Sequence, residues 1–61
     1  MSFAIGDKVR SRPVNNIPAF DADVVQLAGS GEWAIIEDAA GTEWWRCARE
    51  LTLIEKAEGA K

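Results

Sequence analysis

Hydrophobic and polar positions alternate along this chain in short runs, and turn-forming residues separate the runs. Alternation with a period of two is typical of β-strands that bury one face. The pattern predicts five strands, at residues 8–10, 22–27, 32–37, 42–47 and 51–54. Residues 48–50 fit one short helical turn, and no run has the period of a longer helix. We therefore predict an all-β fold, a small five-stranded barrel with one short 3-10 turn before the last strand.

Strand alternation also predicts which side chains point into the core. We expect Val9, Val25, Ile35 and Leu53 to be among the core residues. Phe3 and Ile5 precede the first strand, and we expect them to close one end of the core. Residues 1–55 then form the barrel, and residues 56–61, which are small and charged, form a flexible C-terminal tail.

A long loop, residues 12–21, separates the first two strands. Pro13 and Pro18 exclude a central strand here, because proline lacks the N–H that a ladder needs. Long loops in compact domains often carry function. Ile17 and Phe20 therefore either cover the mouth of the barrel or contribute to a binding surface, and the two interpretations are compatible.

Two glycine-containing turns separate the later strands. Gly29 and Gly31 supply the positive φ angles that a tight hairpin needs. The turn is not a phosphate-binding loop, because it lacks the Gly-Lys-Ser/Thr ending and no helix follows it. The second turn spans residues 38–41, and its first residue, Asp38, is adjacent to Glu37. We interpret these two carboxylates as solvated side chains of a turn rather than as a catalytic pair.

The adjacent tryptophans Trp44 and Trp45 must point to opposite faces of their strand. Trp45 shares a face with Cys47, a residue type that is usually buried, so we assign Trp45 to the core. Trp44 shares a face with Arg46, which needs water or a carboxylate, so we assign this pair to the surface. Tryptophan and arginine are enriched at interface hot spots. The predicted binding patch consists of Trp44, Arg46, Trp33, Phe20 and Ile17.

The chain has 61 residues, a formal net charge of −3 and no histidine. An acidic chain lacks the global phosphate attraction on which nucleic-acid binding depends, so we expect nucleic acid not to be the partner. A local basic patch of Lys8, Arg10 and Arg12 keeps a nucleic-acid-associated module as an alternative. The simpler interpretation is that these are ordinary solvated charges at a strand.

Cys47 is the only cysteine, which excludes an internal disulfide and a zinc cluster. With neither histidine nor tyrosine, the chain has few candidates for acid–base or nucleophilic catalysis, and we expect no enzyme activity. We see no metal site and no cofactor motif, and we interpret Cys47 as a buried structural thiol. A free thiol, the absence of a signal-peptide pattern and the absence of a membrane-length apolar run predict a cytoplasmic protein.

The order of these features resembles that of SH3-like barrels of the Tudor/KOW type. Gly6, Asp7, Val9 and Arg10 open the first strand, a meander of three strands follows the loop, and residues 51–54 close the sheet after one helical turn. The resemblance covers residues 3–54. In Tudor-like barrels, aromatic rings at the barrel mouth can hold a methylated cation. The rings of Phe20, Trp33, Trp44 and Trp45, assisted by Glu43 or Asp21, would then form such a cage. The simpler interpretation, which we favour, is that most of these rings pack in the core and one is exposed at an oligomer interface.

Two narrower resemblances concern individual segments of the chain. Residues 3–10 resemble the opening of the plasmid-borne type II dihydrofolate reductases, which are tetrameric SH3-like barrels, and residues 41–54 have the spacing of their last strands. Their pore-lining Val-Gln-Ile-Tyr is replaced here by residues 43–46, so the resemblance implies the scaffold and an oligomeric habit rather than the activity. Residues 43–48 resemble the tryptophan strand of signalling SH3 domains, in which Trp44 would face a proline-rich peptide.

These observations favour a small non-enzymatic binding module that acts through a protein partner or as a homo-oligomer. The size and the resemblances suggest an accessory protein of a phage or mobile element. The alternatives are the nucleic-acid-associated module described above and an oligomeric pore enzyme of the type II reductase kind with an altered pore.

Overall fold

The computed structural model describes residues 3–57, and these form one five-stranded antiparallel sheet. The strands are β1 Lys8–Ser11, β2 Phe20–Ala28, β3 Trp33–Glu37, β4 Glu43–Cys47 and β5 Leu51–Glu55. Their order across the sheet is β4-β3-β2-β1-β5. The all-β prediction is confirmed, and each predicted strand is present. The sheet is not closed, since β4 and β5 lie at its two edges and do not pair with each other within residues 3–57.

Local turn chemistry explains why the meander from β2 to β4 forms. Gly29, Ser30 and Gly31 have φ angles of +62°, +60° and +90°, so three consecutive residues occupy the left-handed side of conformational space, where glycine has no steric penalty. At the next turn, Asp38 Oδ1 accepts hydrogen bonds from the N–H groups of Ala40 and Thr42, at 3.0 and 2.9 Å. An aspartate that bonds the backbone just after itself stabilises a tight turn.

The predicted helical turn before the last strand is confirmed as a 3-10 turn at Ala48–Glu50. Cys47 and Glu50 cap this turn through two reciprocal hydrogen bonds. The Cys47 N–H donates to Glu50 Oε1 at 3.0 Å, and the Cys47 sulfur accepts the Glu50 N–H. This arrangement is a capping box in which a thiol takes the usual place of a hydroxyl.

The core lies on one face of the sheet and consists of seven buried hydrophobic residues: Phe3, Val9, Ala22, Val24, Ala34, Ile36 and Leu51. The prediction for Val9 is confirmed. For Val25 and Ile35 it is wrong, because each is only half-buried while its neighbour in sequence, Val24 or Ile36, is buried. Both pairs are apolar at adjacent positions, so alternation alone did not decide which member points inward.

Two features of the sheet explain why the predictions for Val25 and Leu53 are wrong. A β-bulge between Val24 and Gln26 shifts the pairing of β2 with β3, and such a bulge changes which side chains face inward. Leu53 pairs with Val9 but belongs to the edge strand β5, and the prediction that it is a core residue is wrong because it is exposed. Ile5 is also exposed, whereas Phe3 is buried as predicted.

A buried carboxylate, Asp7, joins the two ends of the described chain. Its Oδ2 accepts the Ala4 N–H at 2.9 Å, and its Oδ1 accepts the Ala57 N–H at 2.7 Å. The backbone of Asp7 also accepts the Val24 N–H at 2.9 Å, which ties this corner to β2. Ala57 is therefore held against the domain, while residues 58–61 of the predicted tail lie outside the described residues. The predicted domain boundary at residue 55 stays a prediction.

These hydrogen bonds make Asp7 a source of acid sensitivity. The N–H groups of Ala4 and then Ala57 bond the charged form and lower the pKa of Asp7 in the folded state. A group with a depressed folded pKa stabilises the fold above its unfolded pKa, and that stability is lost as pH falls through the folded value. We expect the free energy of unfolding to fall as the pH drops below about 4, the ordinary pKa of aspartate. Denaturant titrations at a series of pH values measure this.

The Asp7→Asn variant tests the origin of that acid sensitivity. It should be less stable than the wild type at neutral pH and should lose a smaller part of its stability on acidification. A residual dependence remains, because hydrogen bonds from Arg10 and from Trp44 also lower the pKa values of Asp21 and Asp38. The control is Asp23→Asn, an exposed carboxylate on β2. An Asp7→Asn protein with the wild-type pH dependence would contradict the assignment.

Candidate functional site

Three residues of the predicted patch come together beside the core: Phe20 at the start of β2, and Trp44 and Arg46 on β4. The guanidinium carbon of Arg46 lies 5.3 Å from the centre of the Trp44 ring and 5.8 Å from that of Phe20. The two rings are tilted by 49° with centroids 5.4 Å apart. Each contact is within the range of a cation–π interaction. We call Phe20, Trp44 and Arg46 the inner cluster.

Arg46 is 8% exposed, so the inner cluster contains a buried cation. Its Nε donates to Ser11 Oγ at 3.1 Å, and its Nη1 donates to the Trp45 carbonyl oxygen at 2.8 Å. Within residues 3–57 the ion pairs are Lys8 with Asp23 and Arg10 with Asp21, so no carboxylate there neutralises Arg46. The guanidinium is held by neutral acceptors and by two ring faces.

Trp44 is fixed by a hydrogen bond as well as by packing. Its indole Nε1–H donates to Asp38 Oδ2 at 3.1 Å, so the carboxylate that closes the β3–β4 turn also orients the ring. This hydrogen bond makes the largest contribution to lowering the pKa of Asp38, and the bond from the Thr42 N–H makes the next largest. Trp44 is half-buried and packs against the core.

The assignment of Trp45 to the core and of Trp44 to the surface is therefore wrong, and the facing is reversed. Trp45 is 58% exposed. The register of β4 with β3 gives the reason: Trp44 lies opposite Ile36 and Arg46 lies opposite Ala34, and both partners are buried. The expectation that Arg46 needs water or a carboxylate left out the Trp44 ring on the same face of β4. It also left out the Phe20 ring and the Ser11 hydroxyl, which the fold brings from distant positions in the sequence.

The reversed facing creates a second candidate site on the other side of the sheet. Trp33 and Ile35 lie two residues apart on β3, and Trp45 lies opposite Ile35 on β4, so the three side chains share one face. Trp33 is 42% exposed and Ile35 is half-buried. We call these three residues the outer aromatic face. It extends to β4, an edge strand of the sheet.

An open cleft of about 730 Å³ lies next to the outer aromatic face. Trp33 and Cys47 form part of its wall, together with Arg49, Leu51 and the turn that follows β2. Cys47 is a free, half-buried thiol that lines this cleft and caps the 3-10 turn, so it is less buried than expected. Trp33 thus belongs to the outer face and the cleft, and the structure does not bring it into the inner cluster.

Ile17, the remaining residue of the predicted patch, lies in the loop between β1 and β2. It is half-buried, and two backbone hydrogen bonds with Val14, at 3.0 and 2.9 Å, form a small turn there. It is not among the hydrophobic side chains that pack against the core. Phe20, which the sequence placed in this loop, is the first residue of β2 and belongs to the inner cluster, whereas Ile17 stays apart.

The three basic residues of the predicted patch lie on and just after β1. Lys8 Nζ is 3.6 Å from Asp23 Oδ1, and Arg10 Nε is 2.8 Å from Asp21 Oδ1. Within residues 3–57, Arg12 makes no ion pair. The hydrogen bond from Arg10 lowers the pKa of Asp21. Two of the three positive charges are thus offset by carboxylates on the neighbouring strand β2.

Comparisons of the chain with protein-family models, with curated protein sequences and with solved structures found no match. Among residues 3–57, no group of three or more potential metal-binding side chains comes together. No helix in that part of the chain has the length and apolar character needed to cross a membrane.

Proposed function

We propose that this chain is an SH3-like domain of the Tudor/KOW type, without enzymatic activity, that acts through protein–protein contacts. The meander of β2, β3 and β4, the 3-10 turn at Ala48–Glu50 and the pairing of β5 with β1 support the SH3-like assignment. The free thiol of Cys47 supports a cytoplasmic location.

The observation that carries this proposal is the exposure of the outer aromatic face. Trp33 and Trp45 are diagonal neighbours across β3 and β4, and Ile35 fills the position opposite Trp45. Small monomeric proteins rarely leave adjacent large apolar side chains in water unless the patch has a function. Tryptophan is also the residue type that most often dominates the energy of a protein interface.

A second copy of the chain is the occupant that this surface fits best. The outer aromatic face ends at β4, and an edge strand can pair its backbone with a strand of another chain. Antiparallel pairing of two β4 strands about Trp45 places Trp45 opposite Trp45, Trp44 opposite Arg46, and Glu43 opposite Cys47. This register pairs every residue of β4 and sets no like charges opposite each other. Centring the pair on Arg46 would oppose two arginines.

Self-association also suits the size of the domain. A single core in a chain this short supplies only about 3–5 kcal/mol of net stability, and oligomerisation is a common remedy. The basic patch offers less support for a nucleic-acid partner, because Lys8 and Arg10 are offset by Asp23 and Asp21. We therefore propose a homo-oligomer joined through β4 and the outer aromatic face.

Light scattering coupled to size exclusion tests this proposal. The wild type should have the mass of two chains, and Trp45→Lys should have the mass of one, because the substitution removes an exposed ring and opposes two like charges at the two-fold axis. Circular dichroism should show that Trp45→Lys keeps the fold of the wild type, since Trp45 lies outside the core.

The matched control is Ile54→Lys, which changes a 46% exposed hydrophobic residue on the opposite edge strand, β5. It should keep the mass of two chains. A wild type with the mass of one chain at high concentration would exclude the second copy as the occupant. A Trp45→Lys protein with the mass of two chains would place the contact elsewhere.

A further inference from the structure

We propose that Arg46 is the anchor of a binding site for a carboxylate group. The site is the inner cluster of Phe20, Trp44 and Arg46, with Ser11 beside it. It lies on the side of β4 opposite the outer aromatic face. The β4 pairing proposed above would set Trp44 of a second copy opposite Arg46, so the test below reads Arg46 itself rather than the mass of the protein.

The first step of the argument is the uncompensated charge. Removing a guanidinium from water is costly, and proteins usually offset that cost with a carboxylate. Arg46 is more than nine-tenths buried and has no such partner among residues 3–57. The Ser11 hydroxyl, the Trp45 carbonyl and the two rings stabilise the cation but leave its full positive charge in place.

The second step is access from solvent. Within residues 3–57, Arg46 donates hydrogen bonds through Nε and Nη1, and Nη2 has no acceptor. Every fully buried side-chain nitrogen or oxygen in the same residues has a hydrogen-bond partner. Nη2 is therefore not fully buried, and it is the guanidinium nitrogen to which the proposed ligand would bind.

The third step is the rigidity of the group that would bind. Nε is fixed by Ser11 and Nη1 by the Trp45 carbonyl, and the guanidinium carbon lies over the rings of Phe20 and Trp44. Asp38 in turn holds the Trp44 indole. A donor that is already ordered loses little entropy when a ligand binds, which raises the affinity for a given set of contacts.

The chemistry of the surroundings selects a carboxylate over a phosphate. The inner cluster contains one positive charge, which a carboxylate matches in magnitude, and a carboxylate oxygen can accept a charge-assisted hydrogen bond from Nη2. A phosphate dianion would need further cations, but Lys8 and Arg10 are already paired with Asp23 and Asp21. The net charge of −3 also opposes a multiply charged ligand.

A titration of the wild-type protein with sodium acetate, followed by nitrogen-15 NMR, tests the site directly. The Arg46 Nε–H and Trp44 Nε1–H signals should shift and saturate, whereas sodium chloride at the same ionic strength should leave them in place. The Arg10 Nε–H signal, which reports an exposed arginine already bonded to Asp21, is the internal control and should not saturate. The absence of a saturable shift at Arg46 would overturn the proposal, and tighter binding of inorganic phosphate than of acetate would overturn the ligand class.

Two peptide arms distinguish the possible sources of the carboxylate. One short peptide carries an internal glutamate and capped ends, and the other carries a free C-terminal carboxylate and neutral side chains. Tighter binding of one than of acetate identifies that source, and equal weak binding of all three identifies a site for free carboxylates.

A pair of arginine variants provides the matched comparison. Arg46→Lys keeps the charge but loses the planar donor, so acetate affinity should fall at least tenfold, while Arg10→Lys should leave it unchanged. Retained affinity in Arg46→Lys would contradict the role of the guanidinium. If Arg46→Lys does not fold, the titration of the wild type still decides the question.

Discussion

Trp44→Ala should lower the free energy of unfolding by about 3–5 kcal/mol, the usual cost of truncating a large aromatic side chain that packs against a core. The substitution removes a ring from the core cluster, one of the two ring faces over Arg46, and the hydrogen bond to Asp38 Oδ2. Arg46 would then be a buried cation with less to stabilise it. Because a domain of this size has about 3–5 kcal/mol of net stability in all, we expect Trp44→Ala to be largely unfolded at room temperature.

Trp45→Ala is the matched control for this prediction, because it removes the same side chain from the neighbouring position. With 58% of Trp45 exposed, we expect the free energy of unfolding to change by about 0.5 kcal/mol. Urea titrations at a protein concentration low enough to keep single chains measure both values. Equal losses in the two variants, or a larger loss in Trp45→Ala, would contradict the facing described above.

Ile36→Ala should cost about 2–5 kcal/mol, because Ile36 is fully buried and its truncation leaves a cavity that the sheet cannot readily close. Ile36 lies between Val24 on β2 and Trp44 on β4, so the cavity would open beneath the inner cluster as well. The result should be a protein that is largely unfolded, or one that unfolds at a much lower urea concentration than the wild type.

Ile35→Ala is the comparison for Ile36→Ala. It removes the same atoms from the adjacent residue, which is half-buried on the outer aromatic face, and should cost about 1 kcal/mol, in the ordinary range for single substitutions. Thermal unfolding of the two variants under identical conditions decides between them. A larger loss in Ile35→Ala would mean that β3 turns its other face to the core.

Local sequence signals predicted the elements of this fold well. Gly29 and Gly31, the Asp38 turn and the residues 48–50 each act over a few positions, so their effect can be read from neighbouring residues alone. Val9 lies between two charged residues and has one possible facing. The strands and the 3-10 turn were therefore predictable from sequence. The composition of the inner cluster was not, because the sequence grouped Phe20, Trp44 and Arg46 with Trp33 and Ile17 in an exposed patch.

The sequence did not predict which member of each adjacent apolar pair points into the core. In Val24–Val25, Ile35–Ile36 and Trp44–Trp45 either member can point inward, and strand alternation is satisfied by both choices. The choice depends on the bulge in β2, on the register of β3 with β4, and on Ser11 and Phe20, which are far from Arg46 in sequence. These are contacts between strands, so residues near the pair in the chain do not encode them.

The sequence by itself thus determined the five strands, their turns and the presence of a tryptophan on each side of β4, because these follow from local conformational preference and a two-residue period. Only the tertiary structure decided that Trp44 and Arg46 face inward and that Trp33, Ile35 and Trp45 form the exposed face. The physical reason is that a buried arginine needs partners to offset its desolvation, and the pairing of β4 with β3 and of β1 with β2 brings two rings and a hydroxyl to Arg46.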